Sequence, residues 1–327
     1  MRTILKKAAS AALSLLLPLG AAAQGADATS YPSKPVTVLA PFAAGGTVDI
    51  IARLVGQKLS ADLGQPFVVD NRGGAGGTIA TGMLARAAPD GYTVMVQHMG
   101  LAFNAGLYEK LPFDTARDIR PVAYIGATPN VLVVSKSLPV NSGAEFLAYA
   151  KANPGKVNYG SGGVGSAGHV PMAVVASMTG LKMQHVPYKG SGPAIVDLMS
   201  GQIHAMLLTI PAVMPFIQQG SLRALATSGA RRSPALPDLP TMEEVGVKGF
   251  EYEPWYGYFA PAGTPPAIQK KLHDAVDKAL QDPEIVSKLR EQGLEVKRMS
   301  QQQFVDVVAR DTATWSAKIK ALGLRAD

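Results

Sequence analysis

Residues 36–55 read VTVLAPFAAGGTVDIIARLV, and their order decides the architecture. The apolar run Val36, Val38, Leu39 stops at Pro41-Phe42, and Ala43, Ala44, Gly45 and Gly46 form a small-residue turn. Thr47 then opens a segment with Ile50, Ile51, Leu54 and Val55 on one side at helical spacing. The stretch is a strand, a glycine turn and a helix. Thr47 is placed to cap that helix, and Asp49 puts a negative charge in its first turn, where the dipole favours it. Glycines let a guest approach the backbone, and the unpaired N–H groups of a helix start suit an anion. One such turn is ordinary. The design recurs at Asn71-Arg72-Gly73-Gly74-Ala75-Gly76-Gly77 and at residues 159–166, YGSGGVGS, and the repetition points to binding.

Outward from these turns, strands are expected at 67–69, 92–97, 122–126, 131–134, 157–159, 183–186, 203–208 and 222–227. Helices are expected between them at 78–88, 142–152, 167–178, 194–199 and 213–219, with residues 97–104 left as a loop. Residues 231–253, rich in Pro, Gly and charge, read as a long surface connection, followed by a strand at 255–260 and helices at 265–280, 283–292 and 301–322. The alternation predicts α/β architecture with largely parallel sheets. Phe304, Val307, Val308, Trp315, Ile319 and Leu322 form the packing face of the last helix.

At the N-terminus, Arg2, Lys6 and Lys7 precede the apolar run Ala8–Leu19 and the small residues Ala21-Ala22-Ala23. This is the pattern of a cleaved export signal, residues 1–23, with a second cleavage position after Ala28. Its loss changes the net charge from 31 − 24 = +7 to 28 − 24 = +4. So mild an excess, without basic runs, gives no reason to expect nucleic acid and suits an acidic small molecule. With no cysteine, disulfides and thiol chemistry are excluded.

Enzymatic signatures fail in turn. Gly160, Gly162 and Gly165 fit G-x-G-x-x-G, but the region about 20 residues on reads Gln184-His185-Val186-Pro187-Tyr188-Lys189, without the acid a dinucleotide ribose requires. There is no phosphate-loop lysine and no G-x-S-x-G elbow. His98, His169, His185, His204 and His273 lack metal spacing. Ser166 and His169 stand three apart at a helix start, with no third member in view. Neither a catalytic set, a metal nor a cofactor is expected. Glycine turns flanked by Thr47, Thr78, Ser161 and Ser166 are instead a means of holding carboxylates. Tyr188–Pro193 is a fourth turn that could close the site, and it carries Lys189.

The chain resembles the Bug (TctC-like) family, the periplasmic solute receptors of tripartite tricarboxylate transporters. The resemblance covers nearly the whole chain after residue 30. It rests on YPSKP (31–35), PFAAGGTVD (41–49), NRGGAGG (71–77), APDGYT (88–93), Leu107-Tyr108 with LPFD (111–114), NYGS (158–161), HVPYKG (185–190), RRSPALPDLPT (231–241) and APAGTP (260–265). It implies a type II periplasmic-binding-protein fold, two α/β domains closing on a cleft. Residues 29–130 and 249–327 would form one domain and 131–248 the other. It also implies a monomeric periplasmic receptor that delivers a small carboxylic acid to a membrane permease pair. Carried onto matching positions, the ligand contacts are Ala44, Gly45, Gly46, Thr47 and Asp49 on one side and Ser161, Gly162, Gly163, Ser166 and His169 on the other. Phe42, on the first of these loops, and Gly76 and Gly77, on the 71–77 turn, join that set.

Two departures from the family pattern bear on the ligand. Leu208 stands where members often carry an aspartate, so an ammonium would lose its counter-charge, and a non-amino, apolar-tailed or aromatic acid is expected. The loop at 97–104 is more apolar than usual, and His98, Met99 and Phe103 are expected at the far end of the pocket. The competing readings are a ligand-sensing partner of a sensor kinase and an exported hydrolase using Ser166 and His169.

Overall fold

The computed structural model describes residues 29–326; the export signal and its cleavage positions lie outside them. In chain order the elements begin with β1 (Val36–Ala40), α1 (Thr47–Leu63), β2 (Phe67–Asn71), α2 (Thr78–Arg86), β3 (Thr93–His98), α3 (Gly100–Leu107), α4 (Thr115–Asp118) and β4 (Ile119–Ala127). The middle of the chain supplies β5 (Asn130–Val134), α5 (Gly143–Ala152), β6 (Asn158–Ser161), α6 (His169–Thr179), β7 (Gln184–Pro187), α7 (Ser191–Ser200), β8 (Ala205–Thr209), α8 (Ile210–Gln218) and β9 (Arg223–Thr227). Then follow β10 (Trp255–Pro261), α9 (Pro266–Ala279), α10 (Pro283–Glu291), β11 (Glu295–Val296) and α11 (Gln301–Ala321). Two sheets result, ordered β11-β4-β10-β3-β1-β2 and β7-β6-β8-β5-β9. The α/β reading holds.

The sheets are mixed, which corrects the expectation of largely parallel ones. β1 runs parallel to β2 and β3, and β6 parallel to β7 and β8. β10 is antiparallel to β3 and β4, β11 to β4, and β5 to β8 and β9. A helix returns the chain to the same end of a sheet and so makes neighbours parallel. β5 and β10 follow the links that carry the chain between the sheets, and no crossover helix fixes their direction.

Those links are tied together. The Asn130 N–H donates to Ser228 Oγ at 2.7 Å, Ser228 in turn donates to the Tyr252 carbonyl, and the Thr128 N–H donates to the Pro254 carbonyl at 3.3 Å. The segment expected as a loop at 97–104 is a second correction, because α3 begins at Gly100. Leu101, Ala102, Phe103 and Asn104 are all buried, and a helix apolar on every side shows no helical period. α11 covers it, turning Phe304, Val308, Trp315 and Ile319 inward.

Candidate ligand-binding cleft

A cavity of about 60 Å³ lies between the sheets, outside the carboxyl ends of β1, β3, β6 and β8, where open α/β sheets place ligands. From the first sheet's side Phe42, Gly46, Thr47, Val48, His98 and Tyr256 line it. From the other come Gly162, Ser166, Ala167, Gly168, Ser191, Leu208, Thr209 and Ala212. No Asp, Glu, Lys or Arg is on the wall. Four helices begin here, α1 after Gly46, α6 after Gly168, α7 after Gly190 and α8 after Thr209, and none has a side-chain cap. No side chain takes their first N–H groups, although the Ser166 carbonyl holds that of α6 and the Pro129 carbonyl that of α8, and the four dipoles converge on one space.

Thr47 is not the cap of α1. Gly46 holds that position, and the Thr47 hydroxyl instead bonds Thr209 Oγ1 across the cleft at 2.6 Å. The buried Tyr256 hydroxyl reaches both threonines. Ser166 Oγ is buried without a hydrogen-bond partner. Sequence reasoning missed Thr209 and Tyr256. The signal available was Thr209-Ile210-Pro211, another strand end followed at once by a helix with proline in its first turn.

The structure brings Phe42, Gly46, Thr47, His98, Gly162, Ser166 and Leu208 to the cavity wall and places the other expected residues around it. Ala44 and Gly45 are exposed on the turn. Asp49 is buried beneath that turn, accepting the Gly45 N–H and the Asn71 amide at 3.0 Å each and pairing with Arg53 at 2.9 Å. Burial alone would raise its carboxyl, but Arg53, the Gly45 N–H and Asn71 hold it below the usual carboxylate value. Asp49→Ala would strand two donors and is expected to cost about 1–3 kcal/mol. Urea unfolding measures this, and a loss under about 0.5 kcal/mol would mean the turn is held otherwise.

Ser161 folds back on its own loop, bonding the Gly163 N–H and carbonyl and the His185 ring at 2.7 Å. His169 accepts the Gly165 N–H at 3.3 Å and stacks on His185 with centroids 4.1 Å apart. The His169 N–H donates to the Ser166 carbonyl at 3.1 Å, but the two side chains form no hydrogen bond, so the contact a nucleophile–base pair needs is missing. Burial lowers His98 to about 3, burial with the neighbouring His185 lowers His169 to about 3, and burial lowers His185 to about 4. Lys189 is exposed and off the wall. Among the described residues no group of histidine and acidic side chains could hold a metal ion.

The two sides touch, so the cleft is closed. Besides the threonine pair, Gly76 lies against the Val164 carbonyl, so that an added Cβ would overlap its oxygen. A Cβ on Gly190 would stand 3.0 Å from that of Ala43. Gly76 thus sits at this seam, Gly77 packs against Pro41, Phe42 and Gln97 on its own side, and neither lines the cavity.

Known proteins include relatives of this chain in sequence and fold. The family described as tripartite tricarboxylate transporter family receptor matches residues 51–324. A Rhodopseudomonas palustris protein, Rpa4515, solved with adipate, is 39% identical with a TM-score of 0.86, covering 89% of this chain and 98% of its own. The periplasmic binding protein BugD is 33% identical with a TM-score of 0.87, covering 90% of this chain and 100% of its own. MatC from Rhodopseudomonas palustris, solved with bound malate, is 33% identical with a TM-score of 0.85, covering 88% of this chain and 100% of its own.

Proposed function

We infer the function from one premise: the chain belongs to the tripartite tricarboxylate transporter receptor family. It is a solute-binding receptor with the two-domain fold of the periplasmic binding proteins. Among the described residues no helix is long and apolar enough to cross a membrane. We propose that it works in the periplasm as a monomer and hands a small carboxylic acid to a permease pair. Residues 29–130 with 249–327 form one domain and 131–248 the other, and the ligand loops are those around Gly46, Gly162 and Ser166.

One observation carries the ligand class. Four uncapped helix starts and a set of hydroxyls converge on a wall without a charged side chain. That wall favours a carboxylate and offers an ammonium no counter-charge. Adipate and malate, held by the two relatives above, are both non-amino acids. Leu208, only 6% exposed on that wall, leaves an apolar surface for the carbon chain.

A thermal-shift panel of mono-, di- and tricarboxylates, aromatic acids and amino acids tests this, on protein refolded free of ligand. An acid at 100 times its Kd stabilises by about 2.7 kcal/mol. Silence across the acids would sink the proposal. Leu208→Asp is expected to weaken adipate binding about tenfold or more, by like-charge repulsion, and to admit L-aspartate. Calorimetric titration with both ligands checks it, and unchanged selectivity would take Leu208 out of the argument.

A further inference from the structure

We propose that His98 determines specificity in this cleft, as a fixed, uncharged Nε2–H donor that demands an acceptor oxygen on the bound acid and turns away an ammonium. The inference rests on the cleft being the acid site proposed above.

His98 ends β3 and is 4% exposed. Its ring is clamped. It stacks on Phe42 with centroids 4.9 Å apart and planes 16° from parallel, and it meets Tyr256 edge-on at 5.9 Å. The Gly100 N–H donates to its Nδ1 at 2.7 Å. An N–H can donate only to an unprotonated ring nitrogen, so the one proton of the neutral imidazole sits on Nε2. Burial keeps the ring neutral at ordinary pH.

Nε2 makes no hydrogen bond with any described residue, and the ring is part of the cavity wall. An N–H that a bound ligand shuts off from water costs free energy unless an acceptor on the ligand meets it. A carbonyl, hydroxyl or second carboxyl oxygen of the ligand is such an acceptor. An ammonium has only donors, so both groups would stay unpaired against each other. Leu208, on the wall from the other sheet, gives an ammonium no acid either. The two residues impose the same discrimination from opposite sides.

Two substitutions separate the roles of the two ring nitrogens. His98→Asn sets an amide oxygen near the Nδ1 position, keeping an acceptor for Gly100 and removing the donor to the cavity. His98→Gln reaches the Nε2 position with an amide N–H. Calorimetric titration would use three acids of equal chain length: pentanoate, glutarate and 2-oxopentanoate. Wild type is expected to bind one of the oxygen-bearing acids about tenfold more tightly than pentanoate. H98N is expected to bring the acids to one affinity, and H98Q to keep most of the preference.

A preference that survives H98N, a fall shared equally by all three acids, or equal binding of the three by wild type overturns the assignment and leaves the receptor reading standing. Wild type that binds no carboxylic acid at all overturns the receptor reading and this inference with it. Because the wild-type preference and H98Q are read independently, poor folding of H98N does not rescue the idea.

Discussion

Gly76→Ala is expected to deny the protein its closed state and to lower ligand affinity by about 100-fold or more, roughly 2.7 kcal/mol. Two effects combine. Gly76 has φ 59°, in the left-handed region, where an L-residue costs about 1–2 kcal/mol whether the cleft is open or closed. The added methyl would also overlap the Val164 carbonyl oxygen on the facing loop, and that clash exists only when the sides meet. The second effect acts on binding, since a ligand held by both sides gains only the contacts that closure completes. Gly180→Ala is the control. Gly180 has φ 68° with nothing near its Cβ position, so it should lose similar stability and keep its affinity. Titration with a bound acid, together with small-angle scattering for closure, reads both variants. Equal affinities in the two would show that the Gly76 seam does not close on the ligand.

Acidification from pH 7 to 5 is expected to destabilise the protein steeply. His98, His169 and His185 are held near 3, 3 and 4, by burial and, for His169, also by His185. In the unfolded chain each would titrate near 6.5. Between those limits the unfolded state binds more protons, so stability falls as pH falls, and it is fully present only above about 6.5. Each histidine contributes at most about 1.4 kcal/mol per pH unit in that window. Glu253 opposes them. Burial, then Glu295 and Glu251, raises its carboxyl, so the folded state takes up that proton first and gains stability on acidification. Urea midpoints across the range measure the sum, and His185→Gln should flatten the slope by about one proton. A flat profile from pH 7 to 5 would mean that the three rings are not neutral in the folded protein.

How much of this was legible in the sequence varies by residue. Residues 36–55 announce strand, turn and helix because burial demands a β-branched run and then a helical period, and both are local properties. α3 was hidden because Leu101-Ala102-Phe103-Asn104 is buried on every side, and an all-round burial leaves no pattern to read. The strand directions of β5 and β10 depend on where the chain changes sheets, which no neighbouring residue records. In the cleft, Gly46, Gly162 and Ser166 could be found because glycine turns mark themselves. Thr47, Thr209 and Tyr256 meet only in the folded chain, and a threonine at a strand end looks the same whether it packs, caps or bridges. The same ambiguity let Thr47 pass for a helix cap.

The uncharged wall described above sets how the receptor responds to its surroundings. Attraction between full charges weakens as salt rises, over a screening length of about 10 Å at 0.1 M. A site built from helix starts, hydroxyls and one neutral ring acts through contacts shorter than that length, and ions of the medium have no fixed charge there to compete for. Capture should therefore proceed almost equally in dilute and saline water. Selectivity among acids would then rest on how long each one stays. Such a receptor tracks the concentration of its acid and ignores the brine around it.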